Sequence, residues 1–502
     1  MNTNRKEPRD SSIERAEAEV QRALGRATEI AASDGLTLSA AEKLLWSALL
    51  QLGCALMALF LARSASRSRP SAYEQQGERY ALDTSTWRSN EVGTRFGKVP
   101  FSRPIGRPLG GRGRADLPVD RELSLAGGFS LGTVTAIAQL SAMVAFGNAR
   151  RLFAEFHAWT PSPRATLRMV DAVGFEARGF LDAAAVPDDD GEVLVIQVDG
   201  RGAPMITMAE AERRRQPRRK RRGTKRHGRR QRRREHPRPR RKKGDKSKNA
   251  KVAFVGVLYT LRKTRHGFEG PLNKRLNATF ESHDALFRWL HQHAVQRGYG
   301  EKRTLFLADG SEHIWRLQKA YFPAAEPCID WYHVAEKLWE AGGCLHREGS
   351  SEQVAWVKEQ QRRLRRGQVA DLLTELSHAY AAIPKTGPGN KGKRKRLLDI
   401  MLYLAEHKHR MRYADLRRDD LDIGTGAVEG AVRNLVGMRL DGPGMRWGRD
   451  RAELVLHLRC VLLNGQWDSF SAHLATKQLK LAAQPVPART HDAKPQQLRE
   501  AA

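Results

Sequence analysis

The chain has 502 residues and a formal net charge of +32, with 88 lysine and arginine residues against 56 aspartate and glutamate residues. Hydrophobic residues make up 40% of the sequence, which is enough for packed cores and excludes a wholly disordered protein. At typical domain sizes of ~100–200 residues, the length predicts roughly three folded units. A positive excess this one-sided favours a polyanionic partner over simple solubility.

The cysteines exclude a disulfide framework and a zinc knuckle. Four of them are scattered along the chain without a CxxC pair, which is typical of a reducing cytosol. The polar, charged N-terminus predicts no secretory signal. The apolar stretch 44–62 is long enough to span a bilayer, but polar residues interrupt it and charged residues flank it. We predict a buried helix or a helix-pairing surface there, and no membrane association.

The N-terminal part of the chain divides into two predicted regions. Residues 1–70 read as a helical segment, a candidate for oligomerisation, and 71–190 as a small β and helix-turn-helix region that would bind DNA. Gly, Arg and Pro in 71–120 favour a β-hairpin or loop module. Farther on, NARRLFAEFHAW and ATLRMVDAVGFEARGFL flank the break TPSPR, as in a helix-turn-helix. Ordinary helix packing explains that pattern equally well.

From residue 191 the pattern becomes strand-rich. Three strands followed by alternating helix and strand predict an α/β fold with a ribonuclease H-like core, in which the first and fourth strands lie side by side. The predicted strands are 192–199, 250–263, 271–281, 303–309 and one near Pro327–Trp331. The predicted regions are a first core part at 191–345, an all-helical insertion at 346–422, the end of the core at 423–472 and a disordered tail at 473–502.

A basic tract runs from 213 to 251, between the first two predicted strands. It has almost nothing apolar to bury, so we expect it to be disordered when free and to serve as a phosphate-binding arm. A solvated charge run without a role is the alternative, which the single sign of the charge disfavours. The tract's predicted nucleic-acid contacts include Arg218, Arg219, Lys220, Arg221 and Arg222.

Three acidic residues carry the predicted chemistry. Asp199 and Asp309 each follow an apolar strand and precede a glycine, and Glu429 lies among small residues in a helix-like segment. Such an all-oxygen set suits two Mg²⁺ ions, with Mn²⁺ as a substitute, and paired ions of this kind act in phosphodiester chemistry. Glu406 and Glu453 are rivals for the Glu429 position, and a salt bridge to Arg433 is its structural alternative.

Supporting residues surround this triad. Asp330 and His333 follow another apolar strand, and we favour a supporting role over direct metal ligation for both. Arg433 is a further supporting candidate. Arg446 and Trp447 lie in the glycine-rich GPGMRWG segment, where Trp447 would stack on a base or else anchor the closing helix.

The two DG sites, the DWYH segment and GTGAVEGAVRN with GMRW together resemble the DDE transposases of bacterial insertion sequences, in particular the Kra-type family and its Mutator-like relatives. The resemblance covers about residues 40–472, and the main departure from it is the length and basicity of the tract at 213–251. It implies that Asp199, Asp309 and Glu429 hold the metals, and that Asp330 and His333 match the family's Asp-x-x-His element.

The function expected from this resemblance is cleavage of insertion-sequence ends and their joining to target DNA. The expected partner is double-stranded DNA, bound by a homo-oligomer in the bacterial cytoplasm at the nucleoid, with no small-molecule substrate. A ribonuclease H-like nuclease and a non-catalytic nucleic-acid-binding protein are the alternatives. Carboxylates beside bound phosphate are unfavourable without cations, which disfavours the non-catalytic alternative.

Overall fold

A computed structural model describes residues 9–111, 113–207, 250–477, 479 and 481. The chain divides into two compact units, Met1–Leu181 with His457–Ala502, and Asp182–Leu456. Most of the basic tract, with Arg218, Arg219, Lys220, Arg221 and Arg222, lies outside the described residues. The described part is a mixed α/β protein with many helices.

The first unit begins with the helices α1 (Arg9–Ala31) and α2 (Leu38–Ser66). The apolar stretch lies in α2, which by length and composition alone is able to cross a membrane. One face of α2 packs into the core through Leu61 and Ala65, whereas the side chains of Trp46 and Phe60 are about half exposed. The predicted burial therefore holds for one face of this helix.

An antiparallel sheet follows, with strands β1 (Ala72–Gln75), β2 (Glu78–Gly93) and β3 (Lys98–Pro108) in that order. It contains the predicted hairpin together with a third strand. The helices α3 (Pro118–Glu122), α4 (Leu131–Met143), α5 (Phe146–His157) and α6 (Pro163–Asp182) complete the N-terminal part.

The predicted helix-turn-helix corresponds to α5 and α6. Ala158 ends α5 in a left-handed conformation with φ 57°, and Pro163 is the first residue of α6, where a missing N–H costs nothing. The Arg150 guanidinium donates to the Pro161 carbonyl at 2.8 Å and fixes the turn. DNA reading by this element stays a prediction.

The second unit contains a five-stranded sheet of β4 (Val193–Pro204), β5 (Ala250–Thr264), β6 (Gly267–Thr279), β7 (Arg303–Ala308) and β8 (Glu326–Ile329). Its spatial order is β6-β5-β4-β7-β8. The pairs among β6, β5 and β4 are antiparallel, and β4-β7-β8 are parallel. The predicted neighbourhood of the first and fourth strands is confirmed.

The sequence predicted that the first strand of this sheet ends at Asp199, but the strand is longer. Pairing of β4 with β7 stops at Val198 and Ala308, but β4 continues along β5 to Pro204. Asp199 therefore lies inside β4, at the point where its second neighbour ends. The backbone beyond it remains satisfied because β5 still supplies hydrogen bonds on one side.

Helices cover this sheet and extend from it. After β6 come α7 (His283–Gln296), α8 (Glu312–Tyr321) and α9 (Trp331–Leu345). The segment 346–422 is all-helical, as predicted, with α10 (Ser351–Arg365), α11 (Val369–Ala382), α12 (Asn390–Glu406), a 3₁₀ turn (Lys408–Arg410) and α13 (Tyr413–Arg418).

The C-terminal elements differ from the predicted pair of helices. The helix that bears Glu429, α14 (Gly426–Val432), is only seven residues long and passes into a π-helical turn, Arg433–Gly437. The closing helix is split into α15 (Arg449–Leu463) and α16 (Trp467–Ala475), because Gly465 adopts φ 68° between them. The boundary between the two units falls within α15, so the segment 423–472 is shared by both.

Candidate active site

Asp199 and Asp309 occupy equivalent places on neighbouring parallel strands. The pairing between β4 and β7 ends at Val198 and Ala308, and Asp199 and Asp309 are the next residues on the two strands. The Gly200 amide donates to Asp199 Oδ1 at 2.6 Å, and the Ser311 amide donates to Asp309 Oδ1 at 2.9 Å. Both carboxylates are thus fixed by backbone donors of the residues that follow them.

Gln197 attaches the Glu429 helix to β4. Its side-chain oxygen accepts from the Val428 amide at 3.0 Å, and its side-chain nitrogen donates to the Gly424 carbonyl at 3.3 Å. Residues two apart on a strand share a face, so Gln197 and Asp199 point to the same side of the sheet. The helix α14 is therefore held on the face to which Asp199 belongs.

Asp330 makes a second attachment from the end of β8. Its amide donates to the Ala308 carbonyl at 2.9 Å, next to Asp309, and its carboxylate accepts from the Thr425 amide at 2.7 Å. The other carboxylate oxygen accepts from the His333 amide at 2.8 Å and contacts His333 Nδ1 at 2.7 Å. Asp330 is fully buried, and its hydrogen bonds connect the end of β7 to the residue before α14.

Glu429 is exposed and reaches the same cluster. Its carboxylate accepts from the Thr425 hydroxyl at 3.0 Å. One ligand atom from each of Asp330, His333 and Glu429 lies within 4.8 Å of the others. No ion pair joins Glu429 to Arg433 within the described part of the chain, so the structural alternative for Glu429 is absent there.

Electrostatic interactions link the predicted carboxylates. Burial raises the pKa of Asp199, and the carboxylates of Asp309 and Glu429 raise it further, while the Gly200 amide and His333 oppose them. The hydrogen bond to Asp330 raises the pKa of His333 to about 9, against the effect of burial. His333 is therefore an imidazolium at neutral pH, and it supplies a positive charge beside this acidic group.

Two donor sets overlap at this position. The set of Asp330, His333 and Glu429 is compact, but Asp330 already uses both carboxylate oxygens and His333 carries a proton on each nitrogen in its charged form. The other set, Asp199, Asp309 and Glu429, consists of carboxylates only, which accept from two backbone amides and from the Thr425 hydroxyl. Carboxylate oxygens are the ligands that hard divalent cations prefer, so these three carboxylates are the second candidate donor set.

The rival acidic residues are engaged elsewhere. Glu453 accepts from the Thr279 hydroxyl at 2.5 Å and from the Phe280 amide at 2.7 Å, which fixes α15 to the end of β6. Glu406 is an exposed residue at the last position of α12. Neither belongs to the cluster around Asp330.

Trp447 is only 5% exposed, and this burial favours the anchoring alternative over base stacking. Its indole nitrogen donates to the Leu440 carbonyl at 2.9 Å, and Arg439 covers its ring at 4.7 Å. A base would have to displace this packing to stack on the ring. Arg446 and Arg433 are both exposed, so both have the access to solvent that DNA contacts would require.

Sequence reasoning missed Gln197 and Tyr403. Gln197 stands in the apolar run before Asp199, and a buried amide in such a run is the signal that was available. Tyr403 comes from α12 and fills the space beside Gly310, where a Cβ atom would lie 2.2 Å from its ring. Glycine after Asp309 is thus required by the approach of this ring.

Comparisons with known proteins leave the family open. No family model matches the sequence, and no curated protein does. Among solved structures, the chain is similar to the Drosophila P element transposase strand transfer complex, with 10% identity over 74% of this chain and 83% of that chain and a TM-score of 0.23. A TM-score this low does not establish a shared fold, so the geometry of the second unit has to support any functional assignment.

Proposed function

We propose that this protein is a Mg²⁺-dependent DDE transposase that cleaves the ends of an insertion sequence and joins them to target DNA. The observation that carries the proposal is the register of β4 and β7, which sets Asp199 beside Asp309 on the face to which Gln197 fixes the Glu429 helix. We also propose that the second unit is a ribonuclease H-like core, for which the strand order β6-β5-β4-β7-β8 is the expected one.

The donor set fits the implied metal. Asp199, Asp309 and Glu429 offer carboxylate oxygens on a rigid scaffold, and the raised pKa of Asp199 reflects in part a repulsion that a bound cation would relieve. The three carboxylates would hold two Mg²⁺ ions, which would supply activation of the attacking oxygen and stabilisation of the leaving 3′-oxygen. The rigid scaffold that fixes these side chains would keep the reacting atoms in line.

Asp330 and His333 have supporting roles in this proposal. The buried Asp330 carboxylate fixes the imidazole ring and keeps it protonated. An imidazolium at this position attracts the scissile phosphate into the acidic cluster, where unneutralised carboxylates would otherwise repel it.

The proposed substrate is DNA because the net charge of +32 favours a nucleic-acid polyanion. We propose that a homo-oligomer binds two element ends in the bacterial cytoplasm, and that the chain belongs among Kra-type relatives. The second candidate is a nuclease of the same fold, which uses the same triad without strand joining. The carboxylates of Asp309 and Glu429 raise the pKa of Asp199, and this repulsion disfavours a binding protein without catalysis.

The test uses the full chain with duplex DNA that contains the inverted repeats flanking its gene. Asp199→Asn, Asp309→Asn and Glu429→Gln should each abolish cleavage in Mg²⁺ or Mn²⁺ while DNA binding persists, and EDTA should abolish wild-type cleavage. Glu406→Gln is the matched control and should cleave normally, because Glu406 lies outside the cluster. Cleavage that persists in EDTA, or in any triad variant, would contradict this assignment. Cleavage without joining would favour the nuclease.

A further inference from the structure

A polar cleft between α9 and α12 opens next to the candidate active site. It has a volume of about 640 Å³. Its charged and aromatic lining consists of Lys337 and Glu340 on α9 and of Lys395, Arg396, Asp399 and Tyr403 on α12, so cations outnumber carboxylates by three to two. A second cleft of about 730 Å³ shares Glu340 and Arg396 and continues to the half-exposed Trp339. The two clefts together form one groove, called here the α9–α12 groove.

The inner end of this groove is the acidic cluster. On α9, His333, Lys337 and Glu340 follow at spacings of four and three residues, so they share one helix face. On α12, Tyr403 packs beside Gly310, which follows Asp309. The groove therefore begins at Tyr403, beside Gly310, and leads away from the triad.

The outer end lies where Glu340 meets Arg396. Glu340 contacts Lys337 at 3.2 Å and Arg396 at 3.4 Å, so one carboxylate is shared by two cations. Because this pair joins the C-terminal half of α9 to the N-terminal half of α12, the two helices run antiparallel. From Gly392 to Tyr403 the groove follows α12 for roughly 16 Å at ~1.5 Å per residue. That length spans roughly five nucleotides at ~3.4 Å each.

The charges at the outer end are unfavourable for the helix that bears them. Five of the six residues 391–396 are basic, and the first turn of α12 holds no acidic residue. Cations near a helix N-terminus are destabilised by the helix dipole and by one another. Arg394 is folded back onto the carbonyls of Tyr380 and Ile383, but the other four are exposed. A bound polyanion would remove this repulsion.

We propose that the α9–α12 groove binds the phosphate backbone of one DNA strand and guides it to the acidic cluster. This inference rests on the proposed function and names the surface by which that site holds its substrate. A single strand fits better than a duplex because an aromatic ring lies at each end of the groove. Tyr403 is at the inner end and Trp339 is at the outer end. Basic grooves with aromatic side chains are typical of single-strand binding.

The test measures binding of a fluorescein-labelled 20-nucleotide single strand and of a 20-base-pair duplex to the full chain in EDTA across a salt series. The variant Lys395→Glu/Arg396→Glu should bind the single strand roughly tenfold or more weakly than its control at ~0.1 M salt, with a salt slope lower by about 0.7 for each phosphate that is no longer neutralised. The control, Lys358→Glu/Lys385→Glu, makes the same charge change in the helical segment outside the groove. Equal affinities in the two variants would overturn the proposal.

A second variant separates binding from folding. Gly392 lines the groove, and a side chain there would enter open space. Gly392→Glu places an acid near the start of α12, where it favours the helix, so its melting temperature should equal or exceed that of the wild type. It should nevertheless bind the single strand several-fold more weakly. Unchanged binding would overturn the proposal, and so would an equal loss of affinity for the duplex.

The same measurements keep this proposal distinct from the proposed function. If Asp199→Asn still cleaves while the groove variants lose single-strand affinity, the metal triad is wrong and the groove stands. If Asp199→Asn loses cleavage while the groove variants bind as the control does, the triad stands and the groove is wrong.

Discussion

The Val428 amide donates a 3.0 Å hydrogen bond to the side chain of Gln197, a residue 231 positions earlier in the chain. This contact unites a strand of the sheet with the first turn of the helix that bears Glu429. The same Gln197 side chain also donates to the Tyr259 hydroxyl at 3.0 Å. Gln197 is 1% exposed, so each of these bonds is shielded from water.

Gln197→Leu should detach α14 from β4. The change leaves the Val428 amide and the Gly424 carbonyl without their partner, at a cost of about 1–3 kcal/mol for each buried group. We expect a lower melting temperature and a loss of cleavage of ~100-fold, since small displacements of reacting groups are this costly. Tyr259→Phe is the control, because it spares the bonds of Gln197 to Val428 and to Gly424. Full activity of Gln197→Leu would show that this contact does not position Glu429.

Asp199→Asn should stabilise the protein in EDTA. Burial and the neighbouring carboxylates raise the pKa of Asp199, so its ionised form costs stability once the pH rises above the unfolded-state pKa, and the full cost is present above the folded-state pKa. We expect the variant to melt roughly 1–4 °C higher at pH 7. Addition of Mg²⁺ should raise the melting temperature of the wild type and leave that of the variant nearly unchanged. A variant that melts at a lower temperature than the wild type in EDTA would contradict the repulsion of Asp199 by Asp309 and Glu429.

His333 should make stability depend on pH in the alkaline range. Its pKa is raised to about 9, so the stability that its charge contributes is fully present below pH ~6.5 and is lost as the pH rises through about 9. Melting temperatures of the wild type in EDTA should therefore fall from pH 6.5 to 9.5. His333→Gln should show a flatter profile over this range. Parallel profiles would mean that Asp330 does not hold the imidazole in its charged form.

Deletion of 213–248 should weaken DNA binding without regard to sequence. The segment carries roughly twenty net positive charges, and log K falls with log salt by ~0.9 for each phosphate neutralised on duplex DNA. We expect a salt slope lower by several units and an unchanged preference for element ends, which folded side chains in the N-terminal region would read. Binding of end-containing and random duplexes over a salt series measures both. Lost discrimination with an unchanged slope would mean that the tract reads sequence.

The sequence by itself predicted the α/β class, the five strands of the second unit and the helical segment 346–422. Helical periodicity and apolar runs that end in turn residues are local signals, so they can be recognised without knowledge of the fold. The same locality let Asp199 and Asp309 be proposed as partners, because strand order follows from element order once a topology is assumed. The predicted end of β4 was wrong, because the residues from Asp199 to Pro204 remain in the strand only through their pairing with β5. β5 is distant in the sequence, so no local pattern reveals this pairing.

Only the tertiary structure decided what holds the candidate site together. Gln197, Asp330 and Tyr403 come from separate elements, and their roles arise from contacts between residues far apart in the chain. Trp447 shows the same limit, because its sequence context suits an exposed ring and a buried one equally. Residue types and periodicity determine which elements form. Packing determines which polar groups lose water, and those groups must then find partners that no local pattern specifies.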